Sequence, residues 1–144
     1  MSSQSPNLVF KLTTAGEWRA ALGCGVLAPS PDDVRDGFIH LSAAHQVAQT
    51  AGKYFTGVAD LVLVALRAGD LSASLRWEVS RGGDLFPHLY AALPVTAALW
   101  VEPIALDAAG IPLLPPHERL LAAAHCVGVK TEADGQPQTG ERDR

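Results

Sequence analysis

The chain has only two cysteines, Cys24 and Cys126, among its 144 residues. Thiols so far apart in sequence form neither a disulfide framework nor a zinc knuckle, because both need more or closer cysteines. Positive charge is not in surplus either, since 11 basic and 15 acidic residues give a net charge of −4. The chain therefore lacks the basic surface of a general nucleic-acid binder, and we expect nucleic acid not to be its partner.

Long apolar runs and short catalytic motifs are also missing. The most hydrophobic run, Leu61–Leu66, has the length of a buried strand and not of a membrane span. The segment Met1–Asn7 is polar and has no basic start or apolar run of a signal peptide. No GxSxG, P-loop or GxGxxG motif occurs, and no internal repeat is visible. These absences predict a cytoplasmic protein without a membrane partner.

The composition that remains is that of a globular domain, with 48% hydrophobic and 18% charged residues. A chain of this length fits one domain and is long enough to bury a real core. We expect this domain to span residues 1–127. Residues 128–144 are rich in Gly, Gln, Thr and charge, and we expect them to form a disordered tail.

Hydrophobic periodicity divides the chain into strand and helix candidates. Strands are predicted at 8–12, 37–41, 61–66, 75–79 and 95–101, with an edge or irregular segment at 86–90 because Pro87 removes a ladder donor. Helices are predicted after the capping box Thr14–Glu17, at about 43–55 with Ser42 as N-cap, and at 117–126. The proline-rich segment 28–36 is predicted to be a loop. This order favours an α+β fold over a doubly wound parallel sheet.

The stretch Asp36–Ser42 (DGFIHLS) carries the first candidate site. Strict alternation places two apolar side chains on a core face and Phe38, His40 and Ser42 on the opposite face. The His40 imidazole can exchange hydrogen bonds with a ligand, and Ser42 would lie beside free N–H groups that favour anions. The alternative is that Ser42 only caps the helix and His40 satisfies a buried carbonyl.

Trp77 and Glu78 form the second candidate site. A carboxylate beside a large aromatic side chain can have its pKa raised by desolvation, which suits an acid/base or cation-stabilising residue. The alternative is an exposed carboxylate on a half-buried strand, with Trp77 in the core.

The third candidate site is Phe86–Tyr90 (FPHLY). His88 and Tyr90 alternate there, so in an extended segment both can face one cleft and stack on a planar ligand. The alternative is an edge segment that is held only by packing.

The histidines do not predict a metal site. His40 and His45 are five residues apart across a predicted strand–helix junction, so they lack the i, i+4 spacing of a helical metal motif. His117 and His125 lie too far apart on the predicted terminal helix to bind one ion. We expect no metal.

Together these motifs resemble the signature of the bacterial and plant family catalogued as domain of unknown function 952 (DUF952). The resemblance runs from about Leu8 to Pro103 and rests on these pieces: FKL at 10–12, Trp18, DGFIHLS at 36–42, WE at 77–78 and FPHLY at 86–90. It implies an ADP-ribosyltransferase-like fold, in which a split pair of small, mainly antiparallel β-sheets with flanking helices surrounds an NAD-binding cleft.

The resemblance also implies roles for residues. In ADP-ribosyltransferase-like proteins an early His or Arg holds a ribose, a middle residue stacks or orients, and a late Glu stabilises the oxocarbenium-like transition state. The implied catalytic residues are His40 and Glu78, and the implied cofactor-binding residues are Ser42, Trp77, His88 and Tyr90. Tyr54 is a further stacking candidate, and Glu102 is a weaker substitute for the late Glu. The chain departs from the pattern because it has no clear middle motif and because Glu78 precedes His88.

The sequence leaves three functions open. The first is an enzyme that binds NAD or a related nucleotide and transfers or cleaves at the glycosidic carbon. The second is a non-catalytic module that binds a small molecule or nucleotide on the same fold. The third is a structural interaction domain. The sequence does not indicate an oligomeric state.

Overall fold

The computed structural model describes residues 8–116 and 119–120. The chain divides into two units, Met1–Leu114 and Pro115–Arg144, and the secondary structure described here belongs to residues 8–114 of the first unit. The predicted helix at 117–126, the domain end at 127 and the tail from 128 fall outside the described residues, except for positions 119 and 120. Those three predictions stay predictions.

Eight strands and three α-helices make up residues 8–114. The strands are β1 (Leu8–Thr14), β2 (Val26–Leu27), β3 (Ile39–His40), β4 (Leu61–Arg67), β5 (Leu75–Val79), β6 (Leu85–Leu89), β7 (Leu93–Pro94) and β8 (Ala98–Pro103). The helices are α1 (Ala15–Cys24), α2 (Pro31–Asp36) and α3 (Ala44–Tyr54). Short 3-10 turns lie at Ala68–Leu71, Arg81–Gly83 and Val95–Ala97.

The strands form antiparallel sheets of order β1-β4-β8, β2-β7 and β3-β6-β5. This confirms the predicted α+β class with antiparallel sheets and few helices. The central strand of the first sheet is β4, and six of its seven residues are buried. A strand covered on both faces is apolar throughout, which is why its sequence reads LVLVAL without alternation. Its side chains join one core with Trp18, Leu41 and Leu89.

The first helix begins as its capping box predicts. The Thr14 hydroxyl accepts from the Glu17 N–H at 3.1 Å, and the Glu17 carboxylate accepts from the Thr14 N–H at 3.2 Å. The helix ends at Gly25, whose φ of 96° is a left-handed conformation that glycine adopts without strain.

The segment 28–36, predicted as a loop, contains the helix α2, so the prediction is wrong for its last six residues. The Ser30 hydroxyl accepts from the Asp33 N–H at 3.1 Å, and the Asp33 carboxylate accepts from the Ser30 N–H at 3.0 Å. Pro31 stands in the first helical turn, where its missing N–H has no intrahelical partner to lose. Pro31, which argued for a loop, therefore helps to start a helix.

Ser42 is not the N-cap of α3, which corrects a second prediction. The N-cap is Ala43, whose N–H donates to the Gln46 side chain at 2.9 Å. Ser42 instead pairs with Phe10, with backbone N–H to O distances of 2.8 and 2.9 Å in the two directions. This pairing joins β1 of the first sheet to the segment that follows β3 of the third sheet.

Two strand predictions also need correction. The segment 86–90 is predicted to be an edge or irregular segment, but residues 86–89 belong to β6, the central strand of its sheet. Pro87 has no N–H to donate to a neighbouring strand. It is tolerated there because its carbonyl accepts from the Leu41 N–H at 3.1 Å, and because β3 ends before the position at which pairing would need an N–H from Pro87. The predicted strand at 95–101 begins only at Ala98, because 95–97 form a 3-10 turn.

Candidate functional site

A cavity of about 560 Å³ lies beside α2, β3 and β6. Its size falls within the range of small-molecule sites. His40, Ser42 and His88, three of the residues predicted from sequence, line it, and so does Tyr54. The pairing of His40 with His88 across β3 and β6 brings the two imidazoles to one face of the sheet.

His40 is held between two carboxylates. Its Nδ1 lies 2.6 Å from Asp33 Oδ1, and its Nε2 lies 2.9 Å from Asp36 Oδ2. A carboxylate can only accept a hydrogen bond, so both ring nitrogens must carry a hydrogen for both bonds to form. The hydrogen bond to Asp33 raises the pKa of His40, and Asp36 adds to the effect. His40 is therefore a cation in this arrangement and not a base.

Asp33 is the buried carboxylate that holds His40 in place. It is only 2% exposed, and besides the His40 ring it accepts bonds from the backbone N–H groups of Ser30 and His40 and from Lys11 Nζ at 3.2 Å. Burial alone would raise the pKa of the Asp33 carboxyl, but the bond from His40 and the charge of Lys11 outweigh it, so the pKa lies well below its usual range. Asp33 is ionised at every physiological pH.

Lys11 balances the charge of Asp33. It is 7% exposed, and its Nζ also donates to the His40 carbonyl at 3.3 Å. A buried ammonium is tolerated when a carboxylate and a carbonyl satisfy it. Lys11, Asp33 and His40 thus form one network that connects β1, α2 and β3.

His88 is paired with a third carboxylate. Its Nδ1 lies 2.8 Å from Glu78 Oε1, which also accepts from the Tyr90 hydroxyl at 2.7 Å. Because the carboxylate only accepts, the hydrogen sits on Nδ1 of His88, and in the neutral ring Nε2 keeps a free lone pair. Nε2 makes no hydrogen bond to any residue that the structure describes.

The pKa of Glu78 is not raised, which corrects the expectation of a desolvated acid. The hydrogen bond from His88 and the one from Tyr90 lower it, because both stabilise the charged form. Its side chain is 39% exposed, so desolvation is too weak to reverse this effect. Glu78 does not line the cavity among the described residues and reaches it only through His88.

A cluster of rings positions the two histidines. Phe38 stacks on His88 with centroids 3.9 Å apart and an interplanar angle of 18°. The Phe38 ring also lies 4.8 Å from that of His40 and 5.3 Å from that of Tyr90. The alternation that places Phe38 and His40 on one face is confirmed by this contact.

Two of the remaining predicted site residues, Trp77 and Tyr90, lie apart from the cavity wall. Trp77 packs against the hydrophobic core, on the face of β5 opposite to Glu78, so its alternative reading as a core residue fits its position. Tyr90 bonds to Glu78 and lies under the guanidinium of Arg76, 5.5 Å from the ring centroid. Ser42 is 4% exposed, and its hydroxyl donates a weak bond of 3.4 Å to Thr50, within α3.

Sequence reasoning missed Lys11, Asp33 and Asp36, although all three line the cavity. One signal could have found Asp33. The tetrapeptide Ser30–Asp33 has capping-box spacing with proline at the first helical position, which marks a helix start. Lys11 has no such signal in the sequence, because a lysine within an apolar strand does not indicate which residue it pairs with.

The described residues offer neither a metal-binding cluster nor a membrane-spanning helix. They contain no group of three or more His, Cys, Asp or Glu side chains placed to hold a metal ion. None of the helices in this part of the chain is both long and apolar enough to cross a bilayer. Cys24 is exposed and free.

Fold and site define a small α+β domain with a cavity lined by two carboxylate-bound histidines. Residues 12–101 match the family described as Protein of unknown function (DUF952), and the chain belongs to this family. The DUF952 resemblance is thereby confirmed, whereas the ADP-ribosyltransferase-like relation stays a prediction.

Solved structures of one relative resemble this chain. The crystal structure of protein CC0527 from Caulobacter crescentus is 47% identical, has a TM-score of 0.72, and matches over 74% of this chain and 94% of that one. A double mutant of CC0527 is 46% identical over the same shares, also with a TM-score of 0.72. The solution NMR structure of CC0527 gives 47% identity and a TM-score of 0.68 over 74% and 92%. A search of curated proteins found no match.

Proposed function

We propose that the cavity between His40 and His88 binds NAD or a related nucleotide and promotes transfer or cleavage at the glycosidic carbon of its ribose. The observation that supports this most is that two histidines, each bound to a carboxylate, line one cavity with ring centroids 5.8 Å apart. The proposal includes the ADP-ribosyltransferase-like relation expected from sequence. Two three-stranded antiparallel sheets joined at Phe10 and Ser42 are compatible with that split arrangement.

The groups on the cavity wall suit a nucleotide. Its hydroxyl and cationic side chains match ribose hydroxyls and phosphates, and the half-exposed ring of Tyr54 offers a surface for a planar base. NAD, when bound, supplies the glycosidic bond and a positively charged nicotinamide ring that leaves as neutral nicotinamide. The donor set of the cavity therefore fits the proposed ligand.

The two histidines would divide the work. The cationic His40 can only donate hydrogen bonds, so it would position a ribose or phosphate oxygen. The Nε2 of His88 can accept a proton from an attacking hydroxyl, with Glu78 fixing the opposite nitrogen as the donor. Glu78 would act as a positioning residue for His88, and not directly on the reacting carbon.

One observation favours the alternative of a non-catalytic binding module. Both nitrogens of His40 are already bonded to carboxylates, and a group held in this way suits recognition better than proton transfer. Release of nicotinamide from NAD separates the two functions, because a binding module gives none at any protein concentration.

The test is a calorimetric titration of NAD into the wild-type protein, His40→Asn and His45→Asn. His45 is an exposed histidine on α3, so its substitution is the matched control. Loss of a charge-assisted hydrogen bond costs about 1.5–3 kcal/mol, so we expect His40→Asn to bind about 10- to 100-fold more weakly and the control to bind as wild type.

Turnover is then measured on the same samples and on His88→Asn. Nicotinamide release that falls in His88→Asn while NAD still binds supports the catalytic role of His88. Binding without release by the wild type supports the binding module instead. If the wild type gives no heat and no thermal shift at millimolar NAD, both functions fail for this ligand.

A further inference from the structure

The two carboxylates that contact His40 are held very differently. The Asp33 side chain is 1% exposed and is fixed by Ser30 and Lys11 as well as by His40. The Asp36 side chain is 31% exposed, and its one other partner among the described residues is Arg35, which is itself 66% exposed. Asp33 is therefore a fixed part of the wall, whereas Asp36 is free to exchange.

The position of Asp36 blocks the accessible nitrogen of His40. Nδ1 faces the buried Asp33, so Nε2 is the nitrogen that a molecule in the cavity can reach, and the Asp36 carboxylate covers it at 2.9 Å. Arg35 holds both oxygens of Asp36, with Nε to Oδ1 at 2.8 Å and the second nitrogen to Oδ2 at 3.1 Å. Asp36 can release His40 and keep this charged partner.

The positive charge of the His40 ring determines which kind of ligand group can replace Asp36. Asp33 is the largest cause of the raised pKa of His40, so Asp33 still favours the cationic ring when Asp36 turns away. A cationic N–H at the mouth of a cavity binds an anionic acceptor more strongly than a neutral one. A ligand hydroxyl, by contrast, would donate to Asp36 and need both groups in place.

We infer that the Asp36 carboxylate occupies the place of a ligand's phosphate or pyrophosphate group on Nε2 of His40, and that such a group binds by displacing it. The inference rests on the proposed function in taking this cavity as the ligand site, and it names the part of the ligand that His40 recognises. Asp36 is then an internal competitor that weakens binding of the anion.

The test titrates inorganic pyrophosphate, with phosphate and acetate as parallel arms, into wild type, Asp36→Asn and Asp32→Asn. Asp32 lies on the same helix and bonds to Arg35 at 3.2 Å without touching His40, so its substitution removes the same charge at a neighbouring position. The displaced contact is a solvent-exposed ion pair, so we expect Asp36→Asn to bind pyrophosphate about two- to fivefold more tightly than wild type. Asp32→Asn is expected to bind it as wild type does.

NMR signals of the histidine side-chain nitrogens give a second measurement. Pyrophosphate is expected to move the Nε2 signal of His40 while its Nδ1 signal stays in place. The inference is overturned if Asp36→Asn binds no more tightly than Asp32→Asn, if Nε2 does not respond, or if acetate binds more tightly than pyrophosphate. If NAD fails to bind while these pyrophosphate results hold, the proposed function fails and the anion site stands.

Discussion

Replacing Asp33 by asparagine removes the charge on which the site network depends. Asparagine keeps the size, but its single oxygen can accept from only one of the backbone N–H groups of Ser30 and His40, because these bonds end on different oxygens of Asp33. It cannot balance Lys11, whose side chain is only 9% exposed, or hold His40 as a cation. Removing one partner of a buried ion pair costs about 3–5 kcal/mol, and we expect about 3 kcal/mol here because one of the backbone hydrogen bonds survives.

Urea unfolding followed by circular dichroism measures this loss. With a slope of about 1–3 kcal/mol/M, the midpoint should fall by about 1–3 M. Asp36→Asn is the matched control, since it removes an exposed partner of the same histidine, and its urea midpoint should stay close to that of wild type. The double variant Lys11→Met with Asp33→Asn should recover part of the loss, because no unpaired ammonium is then buried.

The pH dependence of this difference has a definite sign. The folded-state pKa of Asp33 is lowered, so its contribution is complete above its unfolded value of about 3.9 and is lost as the pH falls below that value. The gap between wild type and Asp33→Asn should therefore be full at neutral pH and should close in acid. A variant that unfolds within about 1 kcal/mol of wild type at pH 7 would refute the reasoning.

Two further predictions test the corrected helix start and the charge on His40. Gln46→Ala should cost about 1–3 kcal/mol, because the Gln46 side chain accepts from the Ala43 N–H and donates to the Leu85 carbonyl at 2.8 Å. Ser42→Ala should cost less than about 1 kcal/mol. Urea midpoints compare the two variants, and a larger loss in Ser42→Ala would restore Ser42 as the cap. Because the folded-state pKa of His40 is raised, its stabilisation is complete below about pH 6.5 and is lost as the pH rises through the folded value. This loss should be absent in His40→Gln, and an NMR titration that places the pKa of His40 below 6.5 would contradict the assignment.

Most elements of the fold could be predicted from local patterns. The apolar run 61–66 and the capping box at Thr14–Glu17 specify a buried strand and a helix start by themselves, and both are confirmed. The wrong predictions concern residues whose effect on secondary structure depends on the residues around them. Pro31 indicated a loop but begins a helix. Pro87 indicated an edge or irregular segment but lies in a central strand, next to a short strand that leaves it partly unpaired.

The candidate site could be predicted only in part. His40 and His88 stood out because imidazoles in alternating segments suit a cleft, and both line the cavity. Their partners did not stand out, because a carboxylate or ammonium reveals its role only through the group it meets. Lys11 and Asp33 are 22 residues apart in the chain and meet through the packing of β1 and α2.

The sequence by itself determined the α+β class, the family and the side chains available for chemistry, because periodicity, capping spacing and short motifs are local properties of a chain. Only the tertiary structure decided which partners those side chains contact and which protonation state those contacts favour. Two carboxylates hold both ring nitrogens of His40 and favour its cationic form, whereas the carboxylate of Glu78 contacts only Nδ1 of His88. Protonation depends on distance and burial, and these are set by contacts between residues far apart in sequence.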